Sequence, residues 1–412
     1  MGAVSSALHA RRVDVLVVGS GGAGMSAAVA AREAGATVLV ATKAALGASN
    51  TGRAQGGIQA AVGDDDSVES HFEDTFAAGH RDADPRLVRV LAESGPDAVA
   101  WLGRIGVDFT RDGGRVRLIR CGGASRRRLL QAGERTGAEM VRALRAAVHA
   151  AGTEVWESCP LADLESAGDA WRATVAPGRN GERRVVEAGA VVLAAGGGLY
   201  GEAARRGEAS TNHPGATPEV LELALALGAE GRELDSWQRH PTGSVWPEPL
   251  AGYALPETTR SYGATLHDAD GNRFVDELAP RDVVAAGIAQ AVADGRGANA
   301  PNGRPGVWLD TTAIDRENGA GFTADRLSYV HNRYLKAGVD ITRERVLVYP
   351  VLHYRNGGLV ISTDGATTLP GVFAAGEIAG GVHGTNRLMG NSLLDTVVYG
   401  RRAGRAAAEV TR

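Results

Sequence analysis

The chain has little of several things that would have directed it elsewhere. Two cysteines in 412 residues, Cys121 and Cys159, form no CxxC pair. They cannot build a disulfide framework, so a reducing compartment is the expectation. Two thiols also fall short of the roughly four ligands of an iron–sulfur cluster, and no metal is expected. No apolar run approaches the roughly 18–20 residues that span a bilayer, so no membrane insertion is expected. No charge sign dominates: 44 Lys and Arg against 48 Asp and Glu leave a net charge of −4. That balance, with a pI of about 6.2, offers nothing to nucleic acid or to an anionic membrane. Met1-Gly2 with Ser6 loosely matches a myristoylation signal, and Arg11-Arg12 before an apolar stretch mimics a twin-arginine leader. Both are set aside, because the stretch runs into a glycine turn and reads as a core strand. A soluble, cytoplasmic protein is the expectation.

What the chain has in excess is glycine, 57 of 412 residues, about 14% against a usual share of about 7%. With 44% hydrophobic residues and no collagen-like period, the surplus implies tight turns of backbone and not disorder. The length exceeds the roughly 100–200 residues of one domain, so two or three domains, or one body with an insertion, are expected.

Val13–Val18 is a β-branched run suited to a strand buried on both faces, and Gly19-Ser20-Gly21-Gly22-Ala23-Gly24 follows it. An alanine-rich helix then runs to Ala34, with Gly35 as its C′ residue, and Thr37–Val40 is a second strand. Gly19, Gly21 and Gly24 thus form a G-x-G-x-x-G turn between strand and helix. One glycine makes the turn, one admits a pyrophosphate to the backbone, and one lets helix and sheet pack, while the helix N-terminus faces the phosphates. The acid expected on the ribose is missing from Val40-Ala41-Thr42-Lys43, and Thr42 is the substitute. Leu46–Gly57 reads as a loop laid along a ligand. Ala190–Ala195 before Gly196-Gly197-Gly198, and Val372–Ala375 before Gly376-Glu377, repeat the strand-then-glycine pattern. Leu393–Val410 reads as a closing helix. Nucleotide-binding elements at both ends and in the middle imply an α/β, Rossmann-like domain in two parts, 1–234 and 354–412. An α+β unit, 235–353, is inserted between them.

Ordered motifs along nearly the whole chain carry a resemblance. They are the N-terminal glycine turn, Ala54-Gln55-Gly56-Gly57-Ile58, His240-Pro241-Thr242-Gly243, Ala279-Pro280-Arg281-Asp282, His353-Tyr354 with Gly357-Gly358, and Gly376-Glu377 through His383-Gly384-Thr385-Asn386-Arg387-Leu388 to Asn391-Ser392-Leu393. With them the chain resembles the flavoprotein subunits of succinate dehydrogenase and fumarate reductase, together with L-aspartate oxidase. The resemblance implies an FAD domain interrupted by a capping domain, with a small dicarboxylate or amino-dicarboxylate held between cap and flavin. The electron partner stays open. On the substrate side the resemblance implies His240, His353 and Arg387 as carboxylate ligands, with Gln238 and Thr242 beside them; a guanidinium grips a carboxylate bidentately and imidazoles add donors. It implies Arg281 as the proton shuttle, with Glu257 and Arg260 passing protons to it and Asp282 as a further link. On the cofactor side it implies Gly22 and Ala23 with the first turn, Lys43, Ser49, Asn50, Thr51, Gln55, Gly56, Gly57, Ala195, Gly196 and Gly197. Glu377 is implied on a ribityl or ribose hydroxyl and Asn391-Ser392-Leu393 on the flavin ring. Asn50 stands where respiratory members carry a histidine joined to FAD, so the FAD is expected to be non-covalent.

Bland alternatives are weighed beside these. His9, His71, His149 and His267 are assigned to structure or surface, Arg273 and Glu277 to surface charge, and Trp237 and Tyr354 to packing at a hinge. Arg281 has the alternative of a salt bridge with Asp282. The chain departs from the family at Cys121, where aspartate oxidases place a glutamate for the substrate ammonium, at Pro256, at Thr217-Pro218-Glu219-Val220, and in ending at Arg412. A C-terminal helical domain is therefore not expected, and docking to an iron–sulfur subunit is left open. Fumarate reductase or succinate dehydrogenase chemistry is favoured by Cys121, Trp237-Gln238-Arg239-His240 and Gly390–Gly404. L-Aspartate oxidase, making iminosuccinate, is the alternative, favoured by Asn50 and Arg126–Gly133; another small acid is a third reading. A flavin-binding protein without turnover is disfavoured by the intact His240, Arg281, His353 and Arg387.

Overall fold

A computed structural model describes residues 10–175 and 183–412; His9 and the Met1-Gly2 and Ser6 pattern lie outside them. The first strand, Arg11–Val18, pairs in parallel with Val38–Ala41 on one side and Arg184–Leu193 on the other. Glu154–Trp156 extends the sheet beyond Val38–Ala41. The opposite edge is divided. The first half of Arg184–Leu193 pairs antiparallel with Ala170–Val175, and its last three residues pair in parallel with Val372–Ala374. The carboxyl ends of the parallel strands therefore converge where the glycine turns begin, the position at which open α/β sheets bind ligands.

The first helix, Gly22–Glu33, is rich in glycine and alanine and buried over its first ten residues. Alanine favours helix and lets neighbours approach. Gly35, at φ +91°, ends it. Its main partner is the closing helix, Asn391–Glu409, which begins two residues earlier than expected. A Cβ at Gly404 of that helix would run into the Ala27 carbonyl of the first. The stretch Leu46–Gly57 is not all loop: Asn50–Arg53 forms one helical turn. Its anchor is tertiary, since the Gly22 N–H donates to Thr51 Oγ1 at 3.0 Å.

The inserted segment builds a separate antiparallel sheet in the order Trp237–Trp246, Val346–Arg355, Pro305–Asp310, Thr265–His267. It has its own core, including Leu255, Leu266, Val284, Ile288, Leu309, Val330 and Tyr334. Its last strand runs two residues past 353, the boundary expected for the insert. Three irregularities break its central pair, the last of them between Ser244 and Trp246. Gln238 faces Tyr354 and Arg239 faces Leu352, leaving His353 as an extra residue, and the pairing slips again between His240 and Gly243, around Pro241. Proline has no N–H for a ladder, and a bulge re-aims the side chains beside it.

Gly404→Ala is expected to force the two helices apart and to lower stability by about 1–3 kcal/mol. The shift of a chemical denaturation midpoint at unchanged m-value measures it.

Candidate active site

A cavity of about 940 Å³ runs from the glycine turn to the sheet of the insert, at the upper end of the roughly 300–1,000 Å³ of small-molecule sites. At its first end Gly19, Gly21, Gly22 and Ala23 line it, and the first helix points its N-terminus inward. Gly24 lies behind, pressed on the Gly19 carbonyl. Thr42 and Lys43 also line it. The Thr42 hydroxyl pairs with the Ser20 hydroxyl at 2.8 Å, and Lys43 binds Thr217 and reaches Glu219 at 3.5 Å.

Along the middle lie Ser49, Asn50, Thr51, Gln55, Gly56, Gly57, Ala195 and Gly196. Gly197 stands back from the cavity, where a Cβ would run into the Glu377 side chain. Asn50 is fully engaged: its amide donates to Asn212 Oδ1 at 2.7 Å and Glu377 Oε2 at 3.3 Å, and its oxygen accepts the His213 N–H at 2.7 Å. Glu377 accepts the Arg355 N–H as well, at 3.0 Å. Burial outweighs these donors and holds its carboxyl above the usual range. Ser392 and Leu393, in the first turn of the closing helix, line the far wall. Asn391 turns away, to His71 at 3.0 Å and Thr75 at 2.9 Å.

At the other end His240, His353, Glu257, Arg281, Arg387 and Tyr354 line the cavity. The bulge at His353 explains why two successive residues of a strand both reach it. The two imidazoles stand edge to face, 5.1 Å apart. Burial, then Arg281, pushes both well below 6.5, so both are neutral at pH 7. His240 Nδ1 accepts the Thr242 N–H at 3.3 Å, which leaves the ring proton on Nε2. His353 Nδ1 bonds Thr211 Oγ1 at 2.7 Å.

Gln238 and Thr242, expected on the substrate, stand behind the cavity wall. Gln238 Oε1 accepts from Arg281 and from Arg387, each at 3.1 Å, while its amide donates to Asn386 Oδ1 at 2.8 Å and the Arg387 carbonyl at 2.7 Å. It sets both guanidiniums. The Thr242 hydroxyl donates to the Leu255 carbonyl at 3.0 Å. Arg260 is likewise behind, fully buried on the Glu277 carbonyl and 3.5 Å from Glu257.

Arg281 pairs with Glu257 at 2.7 Å and not with Asp282. Asp282 faces outward to His80 at 2.9 Å and Asn386 at 2.8 Å, so no contact links it to Arg281 as a further proton carrier. Glu257 Oε1 accepts the Gly122 N–H at 2.9 Å. Burial raises this carboxyl, but Arg281, Arg260 and that donor outweigh it and hold it below its ordinary value. Glu277 is not a surface charge: it is buried under Arg273, and its carboxylate accepts the Leu266 N–H at 2.8 Å. Cys121 sits off the cavity, taking a hydrogen bond from Gln59 at 3.1 Å.

Arg387 is the exceptional group. It is 2% exposed, and no carboxylate among the described residues lies within 4 Å of it. Burial, then Arg281, pushes it down to about 10. Tyr354, which sequence reasoning assigned to packing, lies under its guanidinium at 4.3 Å. His383 stands edge-on to Tyr354 at 5.7 Å and 3.5 Å from the buried Asp395. The adjacency of Tyr354 to His353 was the available signal; the pairing of His383 with Asp395 had none, because helix and loop meet only in the fold. A buried cation without a counterion calls for an anionic ligand.

The build is that of a dinucleotide-binding α/β protein whose cavity runs from the glycine turn to a buried cationic cluster. The family described as FAD binding domain matches residues 14–393. Similar proteins include one of the subunits of fumarate reductase (CoM/CoB) from Methanothermobacter marburgensis, 37% identical over 96% of this chain and 72% of that one. L-Aspartate oxidase of Streptomyces coelicolor is 39% identical over 94% of this chain and 67% of that one. Among solved structures, a chain of E. coli quinol fumarate reductase has a TM-score of 0.89 at 29% identity, over 97% of this chain and 70% of that one. The chain belongs to the family of FAD-dependent oxidoreductases that takes in fumarate reductase, succinate dehydrogenase flavoproteins and L-aspartate oxidase. Its cavity suits FAD, with glycine backbone at Gly19–Gly22 and two helix N-termini placed to meet negative charge. No helix among the described residues is long and apolar enough to cross a membrane.

Glu257→Gln strands Arg281 and Arg260 without their carboxylate and is expected to cost about 3–5 kcal/mol of stability. Because the folded carboxyl is more acidic than its ordinary 4.5, its contribution is whole above pH 4.5 and is lost as pH falls through the lower folded value. Denaturation curves across the acid range should therefore fall more steeply for the parent than for the variant.

Proposed function

We propose that the protein reduces fumarate to succinate, or a closely related unsaturated dicarboxylate, with the reverse oxidation at the same site. Arg387 carries this reading: its bare charge binds one carboxylate, and the neutral His240 and His353 donate to the ligand without adding charge. When bound, FAD supplies hydride from N5 to one alkene carbon. Arg281 gives a proton to the other carbon, and Glu257 with Arg260 forms the route that restores it. Gln238 holds Arg281 and Arg387 in one orientation, which a hydride and a proton arriving on opposite faces require. The unit 235–353 is the cap that excludes water, and 1–234 with 354–412 is the FAD domain. The FAD is non-covalent, since Asn50 offers an amide whose nitrogen and oxygen are already hydrogen-bonded. Cys121 and Cys159, free and buried, fit a cytoplasmic protein.

L-Aspartate oxidase is the second reading, supported by the Streptomyces coelicolor relative. Against it stands the lack of a free carboxylate for an ammonium among the described residues of the cavity. Glu257 is committed to Arg281, Glu377 to Arg355 and Asn50, and Glu219 faces Lys43 at the far end. An ammonium beside Arg387 and Arg281 meets only like charge.

The reduced flavoprotein, kept anaerobic, is expected to be reoxidised by fumarate, while L-aspartate leaves the oxidised flavin unbleached. Bleaching by L-aspartate alone selects the second reading, and silence to both overturns the two together. Arg281→Lys should cut turnover by about 10²–10⁴-fold and retain the yellow colour; loss of flavin would instead assign Arg281 to cofactor binding. Denaturation should free all FAD into the filtrate, and flavin left on the polypeptide would contradict the reading of Asn50.

A further inference from the structure

A second pocket of about 410 Å³ opens beside the flavin chamber. Pro249, Leu250, Tyr329 and Arg333 line both, so the two are contiguous. Its outer rim belongs to the helix Ser328–Lys336 of the insert, with Asn332 and Lys336 exposed. This helix is fastened to the first part of the chain. The Glu134 carboxylate accepts the Tyr329 N–H at 2.8 Å and the Ser328 hydroxyl, closing the helix N-terminus.

Three cations meet here. Arg333 lies over the Tyr253 ring at 4.4 Å and donates to the Tyr329 hydroxyl at 3.2 Å; Arg135 lies over the Tyr329 ring at 5.0 Å; Lys336 is on the rim. None has a carboxylate within 4 Å among the described residues, although most arginines of the surface do. Glu134, the acid beside Arg135, is already committed to the helix terminus. The tyrosine under Arg333 leads inward: the Tyr253 hydroxyl donates to Gln55 Oε1 at 2.6 Å, and Gln55 lines the flavin chamber. Guanidiniums laid on aromatic faces hold their plane while keeping N–H edges for an anion.

We propose that this pocket is the capture site through which a dianionic dicarboxylate reaches the chamber. Lys336 and Arg135 draw the anion to the seam. Arg333, shared by both cavities, takes one carboxylate and turns it towards His240, His353 and Arg387. A pocket walled by cations and joined to a buried clamp concentrates its ligand and accelerates association, by about 10–10³-fold in general. The proposal rests on the dicarboxylate reading of the inner site, and separates from it by experiment.

The FAD-loaded protein is mixed with succinate, and in parallel with malonate, and the perturbation of the flavin spectrum is followed by stopped flow at several ionic strengths. Association is expected to slow as salt rises. In Arg333→Gln/Lys336→Gln it should fall about ten-fold at low ionic strength, and its salt dependence should flatten. Arg333→Lys, which keeps the charge, should retain most of the salt dependence. Lys336→Gln alone, at an exposed position away from the Tyr253 ring, should show a smaller change of the same kind, and so guards against collapse of the Tyr253 wall. Unaltered association rates and salt slope in the double variant and in Lys336→Gln overturn the capture site while leaving the inner clamp standing. A flavin spectrum indifferent to both succinate and malonate overturns the functional reading, and the capture site with it.

Discussion

The site depends on keeping three guanidiniums, Arg260, Arg281 and Arg387, buried around a single carboxylate, Glu257. Like charges in a dry interior repel, and each also loses its hydration. Two devices make the arrangement tolerable. Glu257 takes Arg281 directly and Arg260 at longer range. The Gln238 oxygen accepts from Arg281 and Arg387 together, which spreads partial negative charge between them without neutralising either. The imbalance that is left favours an anion: a negatively charged ligand would supply the missing charge and relieve an electrostatic cost that folding alone does not.

That constraint accounts for the architecture around it. Gln238, His240, His353 and Tyr354 lie on two neighbouring strands whose pairing breaks three times. Regular strands would have turned His353 and Tyr354 to opposite faces. The bulges bring them to one, where Tyr354 supports Arg387 and His353 stands edge-on to His240. Opposite them the first and closing helices, in contact through glycine and alanine, bring two N-termini to the same cavity. A cationic clamp on one wall and helix N-termini on the other enclose a space suited to negatively charged partners, with the reacting groups held between.

Much of the cofactor half was legible in residue order because its requirements are local. A glycine turn between a strand and a helix needs only neighbours in sequence to be recognised, and Gly19, Gly21, Gly22 and Ala23 line the cavity. Even here depth was out of reach: Gly24, Gly197 and Asn391 stand one layer back, against Gly19, Glu377 and Thr75. In the substrate half the residue types were legible and their partners were not. Arg281 and Asp282 are adjacent in the chain, which left a salt bridge between them as the alternative, but successive residues at a helix start point apart. Arg281 turned inward to Glu257 and Asp282 outward to His80.

The sequence by itself determined the dinucleotide fold, the flavin, and the set of ionisable residues, because strand, turn and helix patterns and the motif residues are properties of short segments. Only the tertiary structure decided which of those residues face the ligand and which hold them there. Gln238 became the support of two arginines, Thr242 the partner of His240, and Arg260 the charge behind Glu257. It also decided which buried charge lacks a counterion among the described residues, because Arg387 is bare only in relation to carboxylates from distant segments that do not reach it. Burial, counterion and dielectric are long-range quantities, and no short segment of chain contains them.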